Sequence, residues 1–175
     1  MLDQIASRKP LLRSGLVWLL LGCLVLVAVL VPAAVASANG AGAVTETFTW
    51  KNVTETFTDT IPCNGIGPAH ITTISNGVAH FTTLTSGKGA GTFWGTFTET
   101  GSFTIVPDNA SLPTYTGHFA VWDGERHNLN NDTAGFNLNI RGTGSDGSTL
   151  NAHLNGKLTI TATGVTKSFD HLVCG

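Results

Sequence analysis

The sequence predicts an all-β protein, a single antiparallel β-barrel of about eight to ten strands. From residue 39 onward, short segments alternate between apolar and polar residues, with glycine, asparagine and aspartate between them, as in strands joined by turns. Threonine, a β-branched residue that suits a pleated sheet, recurs throughout these segments. No helical periodicity interrupts them, so a sequential meander is expected. The alternative is a two-sheet β-sandwich.

Residues 1–38 have the pattern of a signal peptide. Basic residues precede an uncharged apolar run over residues 15–31, and small residues follow it. We expect cleavage after Ala38, with Ala36 as the alternative position. The run is also long enough to be kept as an anchor, because a spanning helix needs about 20 residues. Cleavage would leave residues 39–175 as one secreted, extracellular β-barrel domain.

The charge balance restricts the class of partner. The whole chain carries a net charge of −2, and cleavage would remove more bases than acids. Phosphate binding requires clusters of lysine and arginine, so the composition argues against nucleic acid as a partner. After cleavage we expect a monomer without membrane contact.

The first strand candidates are two nearly identical segments, residues 44–49 and 53–58, with Lys51 and Asn52 between them. They predict a hairpin, or alternatively one long bulged strand.

A second hairpin is predicted around Asn76-Gly77, because this dipeptide favours a two-residue turn. The turn would join strands 70–75 and 78–84. In that register His70 and His80 project from opposite faces and cannot form one site.

The remaining strands are predicted at residues 92–98, 101–106, 115–122, 133–142, 148–154, 157–163 and 166–172. Residues 123–132 are predicted to form a polar loop. A three-residue loop with a left-handed Gly147 would oppose Arg141 to Asn151 and Asn139 to His153. This register gives both strands one apolar face.

Cys63 and Cys174 are predicted to form a disulfide. Cleavage removes Cys23, so an even number of cysteines remains in an exported domain. The bond would hold the last strand beside an early one. Neither cysteine is accompanied by metal ligands at a recognisable spacing, so no metal site is expected.

Two groups of polar residues are candidate ligand-binding sites. The first is the predicted loop that follows Trp122, with Asp123, Glu125, Arg126 and His127. These groups could support acid–base chemistry, but a solvated loop tip is the simpler interpretation.

The second candidate is the polar face formed by Asn137, Asn139, Arg141, Asn151 and His153. If this face points outward, it is an ordinary solvated sheet surface. If it points into a barrel lumen, it forms a pocket suited to a polar or anionic ligand.

Several segments resemble a group of small secreted actinobacterial proteins that have no assigned activity. The resemblance rests on the repeat that leads to Cys63, on residues 112–119 and 142–148, and on the Cys174-Gly175 ending. It implies no catalytic residues. The architecture is also similar to lipocalin-like, avidin-like and allene-oxide-cyclase-like barrels, but none of their ligand motifs is matched.

These observations favour a non-catalytic binding module for a small molecule or a glycan, with no cofactor. The alternatives are a barrel enzyme of the isomerase or cyclase type, which would use Arg141, His153 or the 123–127 segment, and a surface protein without a pocket.

Overall fold

The structure is a computed structural model that describes residues 38–40, 42–128, 130–164 and 166–175. The predicted signal peptide lies outside the described residues, apart from Ala38. The strands are β1 (Ala38–Gly40), β2 (Ala43–Ile61), β3 (Gly67–Leu84), β4 (Phe93–Pro107), β5 (Tyr115–His127), β6 (Asn131–Gly144), β7 (Thr149–Thr161) and β8 (Thr166–Cys174). A 3₁₀ turn, Cys63–Gly65, joins β2 to β3.

All eight described strands form one antiparallel sheet in which each strand pairs with the next along the chain. The all-β antiparallel fold is therefore confirmed, and a single sheet rather than a two-sheet sandwich forms. Within the described residues, no strand pairing joins β8 to β1 or β2. The sheet is consequently not closed by backbone hydrogen bonds.

The eight described strands agree with the predicted number, but several are longer than the sequence pattern predicts. The predicted breaks at residues 99–100 and 155–156 do not occur, because β4 and β7 run through them. The predicted polar loop at residues 123–132 is also wrong in its first half, since β5 continues to His127.

The repeated Thr-Glu-Thr-Phe segments form one strand, not a hairpin. Strand β2 contains a bulge between Trp50 and Val53, where the register with β3 shifts. Asn52 adopts a positive φ of 54° in this bulge, and its N–H donates a hydrogen bond of 3.0 Å to the side-chain oxygen of Asn76. The long bulged strand, the alternative interpretation, is the one observed.

The predicted Asn76-Gly77 turn is wrong for a related reason. Strand β3 passes straight through this dipeptide, and neither residue has a positive φ. His70 and His80 therefore lie on the same face of one strand, because an even number of residues separates them. Gly77 is required here by the ring of Trp50, which occupies the position of a β-carbon at residue 77.

Other glycines that suggest turns in the sequence also lie beneath aromatic rings. A β-carbon at Gly101 would lie 2.8 Å from the ring of Phe119, and one at Gly156 would lie 2.5 Å from the ring of Phe136. Glycine within a strand often marks such a close approach. These contacts explain why the strands continue through residues that usually interrupt them.

One face of the sheet forms the hydrophobic core, and we call it the inner face. It carries the odd-numbered residues of β3–β5, the even-numbered residues of β6–β8 and their partners on β2. The core cluster at one end comprises Ile61, Cys63, Ile66, Ala69, Ile71, Phe103, Ile105, Tyr115 and Leu150. Residues from both edge regions pack in this cluster, so the sheet curls onto its own inner face.

The predicted disulfide is confirmed. Cys63 and Cys174 are bonded, with 5.5 Å between their Cα atoms, and Cys63 is buried. Beside it, the Asn64 side chain donates a hydrogen bond of 2.7 Å to the carbonyl oxygen of Thr149. The turn after β2 is thus attached to β7 and β8, which holds the two edges together at this end.

The predicted three-residue loop between β6 and β7 is also confirmed. Gly147 has a positive φ of 85°, and Arg141 pairs with Asn151 while Asn139 pairs with His153. The register places Leu138 and Leu154 together in a second buried cluster. Burial of the apolar face therefore does set this pairing.

Replacing Gly77 with alanine should lower the free energy of unfolding by about 1–3 kcal/mol, because the methyl group would displace the Trp50 ring. The measurement is urea unfolding. Gly135→Ala is the matched control, since the nearest atom to its new methyl group would be 3.6 Å away. Equal stability of the two variants would show that the packing of the Trp50 ring does not require a glycine at position 77.

Candidate functional site

The first predicted site is divided between the two faces of the sheet. Because Asp123, Glu125 and His127 alternate with Trp122 and Arg126 along a strand, the first three lie on the inner face and the other two on the outer face. These residues therefore do not form one loop site. His127 contacts Asp132 across the β5–β6 connection.

The second predicted site lies together on the outer face. Its members come from two paired strands, and the structure opposes Asn139 to His153 and Arg141 to Asn151. Phe136, Leu138 and Ile140 point to the inner face instead. The arrangement in which the polar side chains line a lumen is therefore not formed.

Hydrogen bonds connect several of these outer side chains. His153 Nδ1 lies 2.8 Å from Asn139 Oδ1, and His153 Nε2 lies 3.3 Å from Asn155 Nδ2. Asn155 also pairs across the strands with Asn137. This network holds a row of amide groups in place on an exposed surface.

Trp122, a member of the first predicted site, lies next to the second predicted site on the outer face. It lies directly opposite Asn137 in the β5–β6 register, and 45% of its surface is exposed. Its ring passes over Gly124, where an added β-carbon would lie 2.9 Å from the indole. The indole therefore lies along the outer surface, bordered by amide side chains. We call Trp122, Asn137, Asn139, Arg141, Asn151, His153 and Asn155 the outer polar surface.

Charges are separated between the faces of the described strands. All of the acidic residues in β2–β8 fall on the inner face: Glu46, Glu55, Asp59, Glu99, Asp123, Glu125, Asp132 and Asp170. The lysine and arginine residues of β5–β8 fall on the outer face: Arg126, Arg141, Lys157 and Lys167. The outer polar surface thus has cationic and neutral neighbours.

Several of the inner acidic residues, among them Glu99, Asp123 and Glu125, lie beyond the hydrophobic core, towards the end of the sheet that is remote from the disulfide. Trp50 packs on Phe97 with 5.2 Å between the ring centroids. Glu99 lies beside them, and burial raises the pKa of its carboxyl, although interactions with Ser75 and Trp50 oppose this shift. Loss of contact with water therefore has a larger effect on this carboxyl than its hydrogen bonds have.

Asp123 and Glu125 follow on the next strand. Burial, and secondarily the charge of Glu125, raises the pKa of Asp123 from 3.8 to about 6. Burial also raises the pKa of Glu125. Two carboxylates on one face, two residues apart, disfavour each other's ionisation. The inner face is thus a site of concentrated negative charge.

No three His, Cys, Asp or Glu side chains converge as metal ligands within the described residues. In the same part of the chain, no helix is long and apolar enough to span a membrane.

The sequence pattern did not lead us to place Glu46, Glu55 and Glu99 on the same face as Asp123. The signal was present, because each carboxylate occupies a position that alternation assigns to the apolar face. Recognising this signal required the correct strand lengths, which the false turn at Asn76-Gly77 and the false break at residues 99–100 concealed.

The sequence matches no known protein family, no curated protein and no solved structure at a significant level. The resemblance to secreted actinobacterial proteins and to lipocalin-like barrels therefore gains no support from these comparisons. Of the features that this resemblance implies, the structure confirms the antiparallel all-β sheet.

The raised pKa of Asp123 predicts a pH-dependent cost of folding. The folded state binds a proton more tightly than the unfolded state, so stability falls as the pH rises from about 4 through the folded pKa of about 6. Asp123→Asn removes this charge. The variant should be more stable than the wild type above pH 6.5, and the difference should shrink towards pH 4.

Urea unfolding between pH 4 and pH 8 provides the measurement. Asp170→Asn is the control, because Asp170 is exposed on the same face and its variant should change the stability little. A difference for Asp123→Asn that does not vary with pH would contradict the assignment.

Proposed function

We propose that the protein is a secreted, non-catalytic binding module for an acidic polysaccharide, and that the outer polar surface is its binding site. The observation that carries the proposal is the Trp122 indole, which lies over Gly124 with 45% of its surface exposed. A sugar ring presents C–H groups on its faces, and these stack on a flat, exposed aromatic ring.

The amide row beside Trp122 supplies the polar part of such a site. Asn side chains offer both donors and acceptors, which suits the mixed hydroxyl groups of a sugar. The contacts of His153 with Asn139 and Asn155 hold these groups before a ligand arrives. Ordering the groups in advance reduces the entropy lost on binding.

The charge distribution favours an acidic polymer over a neutral one. Arg141 belongs to the surface itself, and Lys157 occupies the same face of β7. In the described strands, the carboxylates fall on the opposite face. An acidic polysaccharide would therefore approach cations and amides without meeting a repulsive side chain on these strands.

Secretion is part of the same proposal. A disulfide that joins residues 63 and 174 is stable in oxidising compartments and uncommon in the cytosol. The basic and apolar pattern of residues 1–38 provides the export signal.

The test compares the binding of polygalacturonate and of neutral galactan by affinity gel electrophoresis. We expect the wild type to be retarded by polygalacturonate and little by galactan. Trp122→Ala should weaken the binding about tenfold or more, which corresponds to the loss of one stacked ring. Retardation should also decrease as salt is added.

Trp94→Ala is the matched control. Trp94 is also exposed on the outer face, but it lies on β4 outside the amide row. Its variant should bind as the wild type does. Equal losses in the two variants, or equal binding of both polymers, would refute the assignment of the surface.

A further inference from the structure

The inner face contains a cavity that the outer polar surface does not explain. It lies at the end of the sheet remote from the disulfide and has a volume of about 420 Å³. The lining residues come from three adjacent strands: Val44, Glu46, Phe48, Phe81, Thr83 and Phe93. This volume falls within the range of sites that hold small organic molecules, roughly 300–1,000 Å³.

Three aromatic rings form the apolar wall of this cavity. Phe48 and Phe81 meet edge to face with 5.8 Å between their centroids. Phe81 and Phe93 are stacked at 5.7 Å. The face of each ring carries negative partial charge, so grouped rings attract a cation as well as apolar groups.

Carboxylates stand on both sides of the central ring, Phe81. Glu46 is its direct partner on β2. On the other side, Gly95 is its partner on β4. A β-carbon on Gly95 would lie 2.8 Å from the Phe81 ring and 3.2 Å from a carboxylate oxygen of Glu125. Thus Glu46 and Glu125 flank Phe81 across the sheet.

Charge complementarity decides the class of occupant. Arg126 on the neighbouring strand β5 points to the outer face. His127, the register partner of Phe93, lies on the inner face but contacts Asp132. The carboxylates nearest the cavity rings are those of Glu46 and Glu125. A neutral apolar molecule would leave these charges unmatched, and an anion would be repelled. A metal ion needs several oxygen or nitrogen ligands, but aromatic rings line much of this cavity. Within the described residues, no cluster of metal-ligating side chains occurs.

We propose that this cavity binds an organic ammonium ion with a small apolar body, held between the three phenylalanine rings and the flanking carboxylates. The alkyl groups contact the rings, and the positive charge interacts with the ring faces and with Glu46 and Glu125. This site is on the opposite face from the outer polar surface. Binding here is therefore independent of the polysaccharide.

The test uses choline as the probe and 3,3-dimethylbutan-1-ol as its neutral carbon isostere. Isothermal titration of the full-length protein at low salt should detect choline and give at least tenfold weaker binding of the alcohol. Glu46→Gln and Phe81→Leu should each weaken choline binding about tenfold. Glu46 is exposed, so Glu46→Gln keeps the test valid if Phe81→Leu fails to fold.

Phe169→Leu is the control, because Phe169 is a 59% exposed ring on β8, remote from the cavity lining. It should leave choline binding unchanged. Equal binding of choline and the alcohol would assign the cavity to neutral apolar molecules and overturn the proposal. Absence of choline binding, or unchanged binding in Glu46→Gln, would overturn it too. The Trp122→Ala variant should bind choline as the wild type does. The choline experiment therefore tests the cavity independently of the polysaccharide proposal.

Discussion

The bond between Cys63 and Cys174 solves the main physical problem of this fold. A single sheet has two faces, and one of them must be buried without a helix or second sheet to cover it. The described strands bury that face by curling, so that Ile61 from β2 and Leu150 from β7 pack in one cluster. No backbone pairing joins the described edges, and the disulfide therefore replaces the hydrogen bonds that would close a barrel.

This mode of closure divides the inner face into two regions. Beside the disulfide, aliphatic and aromatic side chains exclude water and form the core. Towards the other end, the same face carries carboxylates such as Glu99 and Asp123, whose pKa values are raised by burial. The charges there reduce stability, which fits the proposed binding role better than a structural one. The basic side chains on the outer face of β5–β8 give the two surfaces opposite chemistry.

Alternation and turn chemistry predicted the fold class, the disulfide and the β6–β7 register, because each depends on local pattern or on cysteine pairing. They failed at Asn76-Gly77 and at the predicted break of residues 99–100, next to Gly101. Glycine favours a turn in isolation, but here it accommodates the rings of Trp50 and Phe119. Contacts between strands override the local preference, and no local pattern reveals them. Because of these wrong breaks, the sequence did not reveal that the inner carboxylates share one face. The grouping of Asn137, Asn139 and Arg141 could be predicted, because it depends on the β6–β7 hairpin alone.

The most direct test of this account measures the free energy of unfolding in urea for the wild type and for Cys63→Ser/Cys174→Ser. The bond spans 111 residues, and closing a loop of that length stabilises the folded state by up to about 4.7 kcal/mol. We predict a loss of several kcal/mol, together with faster hydrogen exchange in β2 and β8, the strands whose edges separate. An unchanged free energy and unchanged exchange would contradict the claim that the disulfide closes the sheet.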